Sequence, residues 1–114
     1  MKTHEEYMEL ALEEARKAEE IDEVPVGCVI VCDGEVISRG HNLKEQLNQA
    51  YAHAEMMAIQ KAAEVKGNWC LNDCDLYVTL EPCMMCTGII NLSRIRTVYY
   101  GTTDPKGGCL ETII

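Results

Sequence analysis

The first twenty residues carry apolar positions at helical spacing. Thr3 and Glu6 stand three residues apart, which is the spacing of a capping box at the start of a helix. The apolar residues that recur every three or four positions after them are Met8, Ala11, Leu12, Ala15 and Ala18. This pattern predicts an amphipathic helix from about Thr3 to Glu20, with its acidic face in solvent.

Two apolar, β-rich runs follow and are joined by a turn. The stretch VPVGCVIVCDGEVISRG places Asp33 and Gly34 between these runs. Asp-Gly in that setting is the strongest short-range signal for a β-hairpin. We therefore expect an antiparallel strand pair directly after the first helix.

The rest of the chain alternates helix and strand patterns. AHAEMMAIQKAAEVKG predicts a second helix that Gly67 closes, and PCMMCTGIINL predicts a third helix with Pro82 at its first position. CDLYVTL and IRTVYYG predict two more strands, TTDPKGG predicts a loop, and CLETII is too short to assign. Because strand-helix-strand units imply parallel pairing, the order predicts one α/β domain over residues 1–114 with a layered fold and a mixed sheet.

The charge of the chain bears on whether it binds nucleic acid. The net charge is −9, and the first 35 residues hold eleven acidic residues against three basic ones. A nucleic-acid surface normally shows a basic footprint, so a large one is disfavoured. A smaller one could form near Arg39, Lys44, Arg94, Arg96 and Lys106.

The apolar stretches and the cysteines of the chain predict where the protein is located. The longest apolar stretch is about half of the ~20 residues that a membrane span needs, and the start has no apolar signal segment. Seven cysteines are an odd number, which favours reduced thiols or metal ligands over a disulfide framework. These features predict a cytoplasmic protein with no membrane partner.

Three side chains have the types and spacing of a metal site: His53, Cys83 and Cys86. Two cysteines three positions apart at a helix start lie on one face, and the exposed amides there stabilise thiolates, the form that binds Zn²⁺. Two thiolates and one imidazole leave one tetrahedral position free, as in catalytic zinc sites.

Glu55 lies two residues after His53, and such residues diverge in a regular helix. Both can serve one site only if the helix begins at this motif, with its first turn facing the metal. The pattern H-x-E…P-C-x-x-C is the signature of zinc nucleobase deaminases, in which the glutamate is a general acid/base and not a ligand. The sequence therefore predicts separate roles for the two residues.

Other interpretations of the cysteines and histidines stay open. Cys83 and Cys86 could form a redox pair, or Cys70, Cys74 or Cys109 could close a structural zinc site as its fourth ligand. Otherwise these three cysteines, like Cys28 and Cys32, are expected in the core. Structural roles are expected as well for His4 and His41, although His41 could lie at the rim of a site. The methionines expected to pack in the core are Met56, Met57, Met84 and Met85.

The chain resembles the cytidine deaminase superfamily, and within it the bacterial tRNA-specific adenosine deaminases. The motifs that carry the resemblance, between about Tyr7 and Gly108, are EVPVGCVIV, GHN, AHAE, LYVTLEPCMMCTGII and SRI. The resemblance implies a three-layer α/β/α fold with a mixed sheet, usually as a homodimer. It also implies zinc bound by His53, Cys83 and Cys86, and proton transfer by Glu55. The residues that it places against the substrate are Asn42, Val26, Ala54 and Glu81.

The implied reaction is hydrolytic deamination of adenosine to inosine in the anticodon loop of tRNA. Alternatives are a deaminase of free cytosine, cytidine or guanine, or of cytosine in single-stranded DNA, and a non-catalytic zinc-stabilised binding module. The sequence departs from the tRNA-acting branch at Gln49-Ala50-Tyr51, where Asp-Pro-Thr is usual, and in its acidity. It also lacks the usual last strand and helix, so we expect self-association or a partial form of a longer deaminase.

Overall fold

The predicted hairpin forms one side of a mixed β-sheet. In the computed structural model, which describes residues 2–101, strand β1 spans Gly27–Cys32 and strand β2 spans Glu35–His41. The backbone of Asp33 and Gly34 has positive φ angles of 52° and 78°. A type I′ turn needs positive φ at both positions, which is why Asp-Gly closes this hairpin.

The predicted order of elements is confirmed, with one addition. The helices are α1 (His4–Glu20), α2 (Lys44–Leu47), α3 (Ala54–Lys66) and α4 (Met84–Leu92), and the remaining strands are β3 (Cys74–Val78) and β4 (Thr97–Tyr100). The addition is α2, a single turn that the hydrophobic pattern does not reveal. The predicted TTDPKGG loop, the CLETII end and Cys109 lie outside the described residues.

The sheet has the mixed topology that the sequence predicts. Its strand order is β2-β1-β3-β4, with β1 antiparallel to both β2 and β3 and with β3 parallel to β4. The parallel pair is the one joined through α4, as a strand-helix-strand unit requires. Helices cover both faces, which gives the expected three layers.

Alternation along the strands divides the core between these faces. Val29, Val31 and Tyr77 point to one side, where they pack against Tyr7 of α1. Strand residues that point to the other side of the sheet pack beneath α3 and α4, together with Leu71, which precedes β3. The largest fully buried residues of this cluster are Ile30, Leu71, Leu76 and Val78. The larger hydrophobic cluster therefore lies between the sheet and the helices α3 and α4, and the first residues of both helices lie at one end of this cluster.

The capping box at the start of α1 is confirmed. Thr3 Oγ1 accepts the Glu6 amide N–H, and the Thr3 amide donates to the Glu6 carboxylate, both at 3.2 Å. The prediction of a uniformly solvated acidic face is wrong at Glu14, which is buried. Its carboxylate is bonded to Lys17 at 2.7 Å and to His41 at 3.0 Å, so these two partners replace the lost water.

Two glycines let helices lie unusually close to the sheet. A Cβ atom on Gly27 would come within 1.9 Å of the Ala11 carbonyl oxygen of α1. A Cβ on Gly40 would come within 2.5 Å of the Ala54 carbonyl oxygen of α3. The second contact brings the first turn of α3 directly against the end of β2.

Three expectations about side chains need correction. Pro82 precedes α4 by two residues, because Cys83 occupies the capping position and Met84 begins the helix. Met84 and Met85 are 69% and 39% exposed and so do not belong to the core, while Met56 and Met57 are half-buried. Helical spacing alone could not show that α4 turns these two methionines outward.

Cys28 and Cys74 are buried as expected, and Cys32 and Cys70 are only partly buried. Among residues 2–101, no helix is both long enough and apolar enough to cross a membrane.

Candidate active site

Two helix beginnings converge on one point and bring three metal-binding atoms together. His53 directly precedes α3 and Cys83 directly precedes α4, both with extended backbones, while Cys86 lies in the first turn of α4. The Nδ1 atom of His53 is 3.6 Å from the sulfur of Cys83 and 3.6 Å from that of Cys86. Zn–N and Zn–S bonds of about 2.0 and 2.3 Å at a tetrahedral angle separate the donor atoms by ~3.6 Å. The three side chains therefore fit a tetrahedral zinc ion.

No fourth protein ligand joins this group in the part of the chain that the structure describes. Cys74, considered as a closing ligand, belongs to a different cluster with Cys32 and Asp73. Cys70 is not in the group either, and Cys109 lies outside the described residues. Within residues 2–101 the set is therefore open, with room for a water molecule or substrate atom at the fourth position.

The electrostatics of His53 and Cys86 suit a site completed by a cation. Burial, assisted by the charge of Lys44, lowers the pKa of His53, so its imidazole is neutral and able to ligate. Burial and the nearby Glu55 raise the pKa of Cys86, so the metal-free thiol holds its proton. A divalent ion would reverse that preference and deprotonate the thiol.

Glu55 is the second residue of α3 and is only 4% exposed. Burial raises its pKa to about 7, against the opposing effect of hydrogen bonds from its own amide and from the Cys86 thiol. A carboxyl group that titrates near neutrality can both accept and release a proton at working pH. It lines the same cavity as His53 and Cys83 without belonging to the set of three possible ligands.

The cavity beside these residues has a volume of about 180 Å³. Pockets for drug-sized ligands are larger, roughly 300–1,000 Å³, so this one suits a single planar ring more than a whole nucleotide. The four residues expected against a substrate, Asn42, Val26, Ala54 and Glu81, all line it. Three further lining residues were not expected at the cavity: Val24 and Leu80, which the sequence analysis did not single out, and Lys44, which it named only as part of a possible basic surface.

Asn42 follows the last residue of β2 and is buried at the cavity wall. Its Oδ1 atom accepts the backbone N–H of Lys44 at 3.2 Å. This bond engages the oxygen of the side-chain amide, so the NH₂ group is the end that can donate to a ligand.

A buried carboxylate holds the segment at the cavity mouth. Glu23 accepts the backbone N–H groups of Glu45 at 3.0 Å and Gln46 at 2.7 Å. These are first-turn amides of α2, which have no partner within the helix. Glu23 therefore caps α2 and, through it, fixes the position of Lys44 beside the cavity. Glu23 is part of the EVPVG motif, but its capping role could not be recognised from the sequence, because the helix that it caps begins about twenty residues later.

The other histidines and most basic side chains lie elsewhere. His41 pairs with Glu14 on the α1 side of the sheet, so it does not reach the cavity rim. His4 Nδ1 lies 2.5 Å from the Tyr77 hydroxyl. Arg39 faces the acidic residues of α1 and Arg96 pairs with Asp75, so these cations do not gather around the site.

Comparison with known proteins adds an independent line of evidence. The family model described as the cytidine and deoxycytidylate deaminase zinc-binding region matches residues 1–102. The tRNA-specific adenosine deaminase of Bacillus subtilis is 52% identical over 108 residues, which cover 95% of this chain and 67% of that protein. This chain spans about two thirds of the length of the curated relatives that it matches.

Two solved structures share the fold. One comes from work on A-to-I editing by tRNA:A34 deaminases at the wobble position of transfer RNA. It superposes with a TM-score of 0.92 at 54% identity, covering 94% of this chain and 78% of that one. The other is a guanine deaminase from Bacillus subtilis, with a TM-score of 0.87 at 39% identity, covering 90% of this chain and 66% of that one.

Proposed function

Because this chain belongs to the cytidine and deoxycytidylate deaminase family, we propose that it is a zinc-dependent hydrolytic deaminase that converts adenosine to inosine in tRNA. The observation that carries the proposal is the 3.6 Å geometry of His53 with Cys83 and Cys86, beside a buried Glu55 at the same cavity. A closed structural site would not need a carboxyl group that titrates near neutral pH.

In this proposal the chain's own residues divide the work. His53, Cys83 and Cys86 hold the zinc ion, which when bound would supply the positive charge that makes water nucleophilic at neutral pH. Glu55 takes a proton from the attacking water and delivers it to the exocyclic amine. Oxygen is thereby added at the ring carbon, the C–N bond breaks and ammonia leaves. Asn42 and the apolar wall formed by Val26 orient the ring.

The proposed substrate is an adenosine in the anticodon loop. Loop bases can be splayed out of the stack, and the small cavity suits one such base. The tRNA-specific relative, at 52% identity, supports a polynucleotide as substrate in preference to a free base. Such a substrate also supports a cytoplasmic location for the enzyme.

We further propose that the chain acts as a homodimer. Strand β4 is one of the two edges of the sheet within the described residues, and exposed edges tend to be covered by a partner. Sedimentation over a range of concentrations should show a dimer. A monomer that persists at the highest concentration would contradict this part of the proposal.

A second candidate function is deamination of free guanine. The observation that favours it is the likeness to a guanine deaminase at a TM-score of 0.87 and 39% identity. The two functions share the metal ligands and Glu55 and differ only in what enters the cavity.

A substrate panel tests the proposal. The zinc-loaded protein is incubated separately with tRNA carrying a wobble adenosine, single-stranded DNA, adenosine, cytidine, cytosine and guanine, and the products are identified by mass spectrometry. We expect inosine from the tRNA alone. Turnover of guanine alone would establish the second candidate, and a zinc-bound protein inactive on every substrate would indicate a binding module.

A further inference from the structure

A second cluster of metal-binding atoms lies at the opposite end of the sheet. Cys32, the last residue of β1, faces Cys74, the first residue of β3, across the antiparallel pair. The carboxylate of Asp73 lies against both thiols: its Oδ2 is 3.4 Å from the Cys32 sulfur and its Oδ1 is 3.4 Å from the Cys74 sulfur. Three potential ligands, at the end of β1 and the start of β3, therefore converge.

Further charged groups surround the Cys32 sulfur. The Oδ2 atom of Asp33, in the hairpin turn, lies 3.9 Å from it. The ammonium group of Lys66, at the end of α3, lies 3.6 Å from it and is also hydrogen-bonded to Asp73. The cluster thus consists of two thiols and two carboxylates arranged around the position of a cation.

This cluster is separate from the candidate active site. The full length of β1, roughly 16 Å at about 3.3 Å per residue, separates Cys32 from Gly27, next to the cavity residue Val26. None of Cys32, Asp73 and Cys74 lines that cavity. The deaminase reaction proposed above makes no use of them.

We propose that Cys32, Asp73 and Cys74 form a second metal site, which binds Zn²⁺ and displaces the Lys66 ammonium group. Zn–S and Zn–O bonds of about 2.3 and 2.1 Å at a tetrahedral angle separate sulfur and oxygen by ~3.6 Å. Each Asp73 oxygen lies 3.4 Å from one of the two sulfurs, and one ligand atom from each of the three residues lies within 4.8 Å of the other two. Two sulfur ligands select a thiophilic ion over Mg²⁺ or Ca²⁺. Asp33 is placed to supply a fourth ligand by rotating its exposed side chain.

A bound ion would join the end of β1 to the start of β3, because Cys32 is the last residue of β1 and Cys74 the first residue of β3. The site would therefore have a structural role, in which the metal stabilises the folded chain because the ligands converge only after folding.

The number of zinc ions bound per chain tests this proposal. The reduced protein is saturated with Zn²⁺, freed of excess by gel filtration and analysed by elemental mass spectrometry. We expect two zinc ions in the unmodified chain and one in Cys32→Ser and in Asp73→Asn. His53→Ala should retain the second ion while losing the first, so a failure of the active-site proposal is distinguished from a failure of this one. Cys70→Ser is the matched control, because Cys70 is a partly buried cysteine three residues before Asp73 that belongs to neither site, and it should keep both ions.

Thermal unfolding provides a readout that does not depend on activity. Zinc should raise the melting temperature of His53→Ala through the second site, and adding Cys32→Ser to that variant should abolish the rise. Lys66→Met removes the competing ammonium group, so in the His53→Ala background it should lower the zinc concentration at which the melting temperature rises. A single zinc ion in the unmodified chain, two ions retained in Cys32→Ser, or a Cys32–Cys74 disulfide in the purified protein would overturn the proposal.

Discussion

At the scale of single residues, Glu55 is the side chain on which the proposed chemistry depends. Glu55→Gln keeps the size and polarity of the side chain but cannot take a proton from water, so turnover should fall by about 10²–10⁴. Turnover is measured on tRNA by inosine formation, together with zinc content. Glu64→Gln, an exposed residue on the same helix, should change neither. Undiminished turnover in zinc-loaded Glu55→Gln would contradict the mechanism.

Glu14 is a buried carboxylate, outside the candidate active site, whose charged form is stabilised by its neighbours. Burial by itself would raise its pKa, but hydrogen bonds from Lys17 and His41 and their charges bring it below the usual value of 4.5. A lowered carboxyl pKa contributes stability that is present above about pH 4.5 and is lost as the pH falls through the folded-state pKa.

Glu14→Gln should therefore lower the free energy of unfolding by about 1–3 kcal/mol near neutral pH. The difference from the unmodified chain should shrink as the pH falls below about 4.5, as measured by denaturant unfolding at a series of pH values. Glu13→Gln, on the exposed side of the same helix, should show little effect at any pH because exposed ion pairs contribute little. A difference that is independent of pH would indicate lost packing instead of lost charge.

At the scale of elements, the close contact of α3 with β2 determines where the active site forms. Gly40→Ala would place a Cβ atom 2.5 Å from the Ala54 carbonyl oxygen and 2.7 Å from the Ala58 nitrogen. Both atoms belong to backbone, so the first turn of α3 must move. We expect a loss of about 1–3 kcal/mol in unfolding free energy, together with weaker zinc binding at His53.

The matched control for Gly40→Ala is Gly88→Ala. Gly88 lies on an exposed face of α4, and a Cβ there meets nothing within 4 Å. Alanine should be neutral or stabilising by up to about 1 kcal/mol at a helical position of this kind. Equal effects of the two substitutions would show that the contact with α3 is not tight.

The sequence predicts those elements whose signals are local. The capping box of Thr3, the Asp33-Gly34 turn and the alternation of β1 are all decided within a few residues. What the pattern misses depends on distant partners. The single turn α2 has its cap in Glu23, and the outward position of Met84 follows from how α4 lies on the sheet.

The same distinction applies to the sites. His53, Glu55, Cys83 and Cys86 stand in two short motifs and were recognisable together. Asp73 and Cys74 stand in no motif with Cys32, and only the antiparallel register brings them opposite each other. Lys44 joins the cavity because Glu23 holds α2 in place, which no local pattern encodes.

At the scale of the whole molecule, a net charge of −9 leaves the proposed tRNA substrate few favourable phosphate contacts. Lys44 is exposed and is the basic residue that lines the cavity among those described. If it contacts a phosphate of the tRNA loop, Lys44→Ala should weaken tRNA binding. It should also reduce the slope of log K against log salt concentration by about 0.7, the value for one single-strand phosphate contact.

Binding is measured by titration at several salt concentrations. Lys61→Ala removes an exposed cation from the outer face of α3 and serves as the control, for which we expect an unchanged slope. An unchanged slope for Lys44→Ala as well would place the phosphate contacts elsewhere.

Most of the cavity wall and the proposed metal ligands come from different parts of the chain. Val24 and Val26 precede β1, Asn42 and Lys44 follow β2, and Leu80 follows β3, whereas the three proposed ligands lie at the beginnings of α3 and α4. Most of the wall can therefore vary without displacing the groups that carry out the reaction. In a fold with this separation, small changes in the connecting segments can change the substrate while the reaction stays the same. Evolution and protein engineering can both use such changes to move the activity from one nucleobase to another.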